Sequence, residues 1–178
     1  MSECSQGGLA VLVALGLLAA PACAQVRKSE RGSVGQTVAG TTITVEYSRP
    51  HARGRTLFGG LVQWGDIWTP GADWATTFES DHDVTVQGQP LARGKYGVWT
   101  IVQPDRWIVT LHHDWHRFHT NRPDSADEAL RLTVRPDSGP PVELLTFDFP
   151  EVDSTGATLR FRWGAVVVPL RIGVGAIR

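Results

Sequence analysis

Cysteine is almost missing from this chain of 178 residues: there are two, Cys4 and Cys23, and both fall in the first two dozen positions. The rest of the sequence therefore has no thiol for a disulfide framework, a thiolate metal site or a cysteine nucleophile. Lysine is nearly as scarce. Only Lys28 and Lys95 stand among 17 basic residues, the others being arginine. A GC-rich genome is a sufficient reason for that bias, so no single arginine gains weight from it. The 17 basic side chains almost balance 18 acidic ones, which argues against general binding to nucleic acid or to an anionic membrane surface. Helical periodicity is confined to Ser125–Leu130. No G-x-S-x-G elbow, H-E-x-x-H pair or phosphate-cradling glycine loop is present, so nucleophilic and zinc-hydrolase motifs find no support.

The apolar run Leu9–Ala20 is too short for a bilayer, which takes about 20 residues. Followed by Pro21-Ala22-Cys23-Ala24, it reads as a secretory signal over residues 1–24, with cleavage after Ala24. The segment before the run is unusual in having Glu3 and no Lys or Arg. Lipidation at Cys23 is the alternative, although Ala20 stands where such sites favour leucine. The expected location is periplasmic or secreted, with no transmembrane anchor once the signal is removed. Cleavage leaves about 154 residues, enough for one domain with a core of its own.

Residues 25–35 are polar and charged and read as a flexible lead-in to a single domain over 36–175. Within that domain short β-branched and aromatic runs recur between turn residues. Thr42–Tyr47 alternates, with Ile43, Val45 and Tyr47 on one face, and Leu130, Leu132 and Val134 do the same later. Gly94–Val102 and Arg106–His112, joined by Gln103-Pro104-Asp105, form the clearest hairpin. Runs at Glu143–Phe149, Ala157–Trp163 and Val166–Val174 complete the series. The pattern predicts an all-β, antiparallel β-sandwich of about eight or nine strands with one long structured loop.

That loop is Tyr47–Phe78, which carries Trp64, Trp68, Trp74, Arg49, Arg53, Arg55, five glycines and two prolines. A connection this long is usually a working surface or a structured Ω-like excursion. Tryptophan rings edged by guanidinium groups suit a sugar ring or a carboxylate. The plainer reading is a loop pinned to the sandwich by its own aromatics, its arginines tied to backbone carbonyls. Both readings stand on the sequence.

The same block resembles the DUF2911 family of bacterial exported proteins of unknown function. Ser48-Arg49-Pro50, Gly54-Arg55-Thr56-Leu57-Phe58-Gly59-Gly60-Leu61-Val62-Gln63-Trp64-Gly65 and Trp68-Thr69-Pro70-Gly71-Ala72-Asp73-Trp74-Ala75-Thr76-Thr77 are similar to its S-R-P, G-R-x-I-F-G-G-L-V-P-Y-G and W-R-T-G-A-N-x-A-T-T blocks. Leu91–Ile101 and Ala157–Trp163 resemble its later strands. The resemblance implies a family without an activity. Two departures stand out: Thr69 replaces an arginine and Asp73 an asparagine, positions that would alter a pocket if relatives have one there. Asp73 is expected to pair with Arg53 or Arg55 if it is structural.

Four of six histidines lie in His112-His113-Asp114-Trp115-His116-Arg117-Phe118-His119. Imidazoles are common metal ligands, so His112, His113, His116 and His119 form a candidate zinc or copper site. Their spacing matches no metal motif, and surface histidines without metal are the plainer reading. The function these residues favour is a non-catalytic binding module for a small molecule, glycan or envelope component. Its candidate residues are Arg49, Arg53, Arg55, Trp64, Trp68, Asp73 and Trp74, with no cofactor. The alternatives are a hydrolase with an Arg/Asp pocket in the same loop and a histidine-cluster metal protein.

Overall fold

The computed structural model describes residues 29–175; the expected signal segment and residues 25–28 lie outside them. The chain forms β1 (Glu30–Val38), β2 (Thr41–Arg49), β3 (Ile67–Trp68), β4 (Thr76–Ser80), β5 (Val84–Val86), β6 (Gln89–Leu91), β7 (Gly94–Val102), β8 (Trp107–His112), β9 (Glu128–Val134), β10 (Asp137–Asp153) and β11 (Gly156–Val174). One 3₁₀ turn, Ser125–Asp127, precedes β9. The strands make two antiparallel sheets, β1-β2-β4-β7-β8-β9 with β3 added beside β7, and β10-β11-β5-β6. This is an all-β sandwich-like domain, as the alternation predicts.

Strand alternation builds the core. Ile43, Val45 and Tyr47 from β2, Trp107, Val109 and Leu111 from β8 and Leu130, Leu132 and Val134 from β9 face Leu145, Phe147, Leu159, Phe161 and Ile172 from the other sheet. Each large apolar side chain so buried contributes roughly 1.5–3 kcal/mol. Tyr47 also joins the sheets by hydrogen bonding, since its hydroxyl accepts the Phe147 N–H at 3.2 Å.

Three boundaries differ from the sequence reading. Residues 30–35 are not a flexible lead-in: they pair with β2 through β1 in unbroken register from Glu30↔Arg49 to Val38↔Thr41. The turn responsible is Ala39-Gly40, with φ of 46° and 83°, the left-handed pair that matches strand twist in a two-residue hairpin. The strand is polar because it lies at a sheet edge. Ile67–Trp68 forms an added strand inside the long loop, pairing with Ile101 and Thr100. The last two predicted strands are one, β11, carried through Gly164 at φ 56°.

Thr69 shows how the long loop is tied to the first sheet. It is fully buried; its hydroxyl donates to the Val98 carbonyl at 2.9 Å and accepts the Thr76 N–H at 2.9 Å. The residue is a structural strut, not part of an altered pocket. Thr69→Val keeps the shape and strands both partners, which costs about 1–3 kcal/mol for a buried polar group left unpaired. Urea unfolding of the variant is expected to show that loss, and a midpoint equal to wild type would refute the strut.

Candidate functional site

Beyond β2 the chain crosses from one sheet to the other. Pro50 has no N–H to extend the ladder, and instead its carbonyl accepts the Leu145 N–H at 3.0 Å, while Ala52 N–H donates to the Glu143 carbonyl at 2.8 Å. Arg53 and Gly54 then turn in left-handed conformation, at φ 53° and 67°. Arg55 closes the turn with its side chain, Nε donating to the Ala52 carbonyl at 2.9 Å and Nη2 to that of His51 at 2.6 Å. Residues 56–62 fold into a small knot in which Leu61 and Val62 N–H donate to the Thr56 and Leu57 carbonyls. Gly60 is required there, since a Cβ would stand 2.4 Å from the Thr56 carbonyl oxygen.

The knot is anchored by aromatic packing. Trp68 stacks on Trp163 with centroids 5.9 Å apart and planes 18° from parallel. Phe58 meets Trp107 edge-on at 5.0 Å and Trp163 at 6.1 Å. Between this cluster and the turn lies a cleft of about 370 Å³, at the small end of the range for small-molecule sites. Arg53, Arg55 and His51 line it together with Trp68, Trp163, Leu61, Val62, Gly71, Ala72 and His119, and with Ser29 and Pro50. None of these is an acid. The nearest carboxylate that the turn engages is Glu143, whose Oε1 accepts the Arg53 N–H at 2.7 Å and lies 3.9 Å from His51 Nδ1.

Of the seven loop residues singled out in the sequence, the cleft gathers Arg53, Arg55 and Trp68. Arg55 is largely committed to backbone carbonyls, whereas the Arg53 guanidinium has no hydrogen bond or ion pair among the described residues. Arg49 lies away from the cleft on β2, its Nη2 3.5 Å from Thr146 Oγ1 and its Nε buried without a partner among the described residues. Trp64 folds over Gly59, where a Cβ would come within 2.3 Å of its Nε1, and remains 46% exposed. Trp74 stacks on His116 at 4.4 Å with planes 3° apart, 37% exposed.

Asp73 does not pair with Arg53 or Arg55. It occupies left-handed backbone at φ 60°, a conformation that Asp and Asn tolerate better than most residues, and its carbonyl accepts the His119 N–H at 2.7 Å. The backbone, rather than a charge partner, accounts for an Asp or Asn there. His51 and Trp163 were missed as cleft residues. His51 carried only the signal of neighbouring Arg53, and Trp163 read as core because most of it is core.

The four clustered histidines do not converge. His112 is buried with its Nε2 3.0 Å from Thr110 Oγ1; His113 lies against Tyr96; His116 stacks on Trp74; His119 lines the cleft. Strand alternation and the turning loop separate them, so they do not form the proposed zinc or copper site. Among the described residues no group of three or more His, Cys, Asp or Glu is placed to hold a metal ion.

The geometry defines the class: a two-sheet β domain with a basic, aromatic cleft beneath a folded crossing loop. A family model described as a protein of unknown function, DUF2911, matches residues 29–172, and the chain belongs to that family. No curated protein and no solved structure matches it at a significant level.

Burial lowers the His112 pKa below the imidazole value of 6.5, outweighing the opposing pull of Glu128. The folded protein keeps this ring neutral while the unfolded chain takes up a proton near pH 6.5, so acid favours unfolding. Stability is expected to fall as pH drops from about 7.5 towards 5.5, and His112→Gln should flatten part of that fall. Parallel urea midpoints for the two proteins across that window would contradict the burial argument.

Proposed function

We propose that this protein is a non-catalytic binding module, exported to the periplasm or beyond, that takes a small molecule or glycan in the cleft beneath its Arg/Trp loop. The observation that carries the reading is the cleft itself. Residues of the long loop, Arg53, Arg55, Leu61, Val62, Trp68, Gly71 and Ala72, come together around one opening of about 370 Å³. Arg53 stands exposed at this opening, its guanidinium without a protein partner among the described residues and so available to a ligand. Apolar lining with a few convergent polar groups is the ordinary make-up of a ligand site. The hydrolase alternative loses its acid, because Asp73 does not line the opening.

Ala72→Trp tests the assignment by filling the cleft from a half-buried lining position. Saturation-transfer NMR with a panel of neutral and acidic mono- and disaccharides is expected to detect binding to the wild type and its loss in the variant, with far-UV circular dichroism unchanged. Equal binding by the two proteins would place the ligand elsewhere. No binding by the wild type across the panel would count against a glycan.

A further inference from the structure

Resting on that binding reading, we infer that the cleft selects an oxyanion, the carboxylate or phosphate of an acidic sugar or similar ring compound, and that Arg53 is the residue that recognises it. The polar side chains of the lining form a one-sided inventory. The two arginines can only donate, and the histidines and Ser29 can donate or accept. Among the described residues no aspartate or glutamate lines the opening. A ligand that brought donors would find few acceptors there; one that brought acceptors would find many donors.

One of those donors, Arg53, is free to take a ligand. The Arg53 backbone is held in a left-handed turn with its N–H fixed on Glu143 at 2.7 Å, and its exposed guanidinium fork is unspent among the described residues. Arg55 braces the same turn with two bonds to the carbonyls of His51 and Ala52, so the Arg53 backbone stands on a fixed base. An arginine fork matches carboxylate or phosphate oxygens in bidentate fashion. Beside it stands Trp163. It lines the cleft while only 1% exposed, and its Nε1 is sealed from solvent with no hydrogen-bond partner among the described residues, so the ring serves as apolar wall. The stacked Trp68 and Trp163 offer apolar surface beside the charge, which suits a ring that carries the anion.

The test is a titration of ¹⁵N-labelled protein with glucuronate, glucose 6-phosphate and glucose, following backbone amides and the tryptophan indole N–H signals. At least one anion is expected to move the Trp163 indole and the Arg53 turn, and to bind about tenfold or more tightly than glucose. Arg53→Ala should erase that advantage, and Arg53→Lys should keep part of it, because charge survives without the fork. The variants share the wild-type backbone requirement, since Arg, Ala and Lys carry the same Cβ at φ 53°. Tighter binding of glucuronate identifies a carboxylate site, and tighter binding of glucose 6-phosphate a phosphate site. Glucose binding as tightly as both anions, or an anion preference untouched in Arg53→Ala, would overturn the oxyanion assignment and leave the binding reading in place. Silence of the cleft signals with all three ligands would overturn the assignment too. A neutral disaccharide still displaced by Ala72→Trp would then show that the cleft binds something uncharged.

Discussion

Trp68 lying flat against Trp163 joins the long crossing loop to the sandwich, and much else depends on that stack. Fixing the backbone of each residue costs about 1–2 kcal/mol, and the path from Pro50 to Ala75 has only two residues in a strand. Ordering it needs buried apolar area and satisfied backbone groups together. Trp68 and Phe58 supply the area against Trp107, Phe161 and Trp163, with aromatic geometry adding roughly 0.5–1.5 kcal/mol per pair. Thr69, one residue on, supplies the hydrogen bonds. The stack also sets the position of the cleft, because the two rings line it.

The loop thus divides its side chains between two tasks. Leu57, Phe58, Val62, Trp68 and Thr69 face inward and hold it. Arg53, Leu61 and His51 remain at the opening. Arg55 does both, bracing the turn while lining the cleft. The opposing reach of chain, residues 113–121, is zipped to the loop by the Ala75 N–H on the Arg117 carbonyl and the His119 N–H on that of Asp73. That pairing explains why histidines so close in sequence end in four different surroundings.

Period-two alternation made the sandwich readable, because Ile43-x-Val45-x-Tyr47 and Leu130-x-Leu132-x-Val134 bury one face of half-covered strands. β1 was hidden for the complementary reason: an edge strand held by backbone bonds carries few apolar side chains, and its only local sign was Ala39-Gly40. The loop was recognisable as structured, and Arg53, Arg55 and Trp68 as site candidates, from composition alone. Which arginine is spent and which is free was not, since that depends on the carbonyls of residues 51 and 52 turning towards Arg55. His51, Trp163 and His119 meet only through packing of segments more than forty residues apart, and no spacing rule reveals such a meeting.

The claim at the centre is that the three tryptophans of the loop have unequal exposure, with Trp68 clipped to a shielded Trp163. Fluorine NMR of 5-fluorotryptophan-labelled protein, read as the solvent isotope shift between H₂O and D₂O, measures this directly. Trp64 and Trp74 are expected to give large shifts, Trp68 a small one, and Trp107 and Trp163 almost none. A shift at Trp68 as large as that at Trp64, with Trp163 responding alongside it, would mean that the stack is open and the account of the loop is wrong.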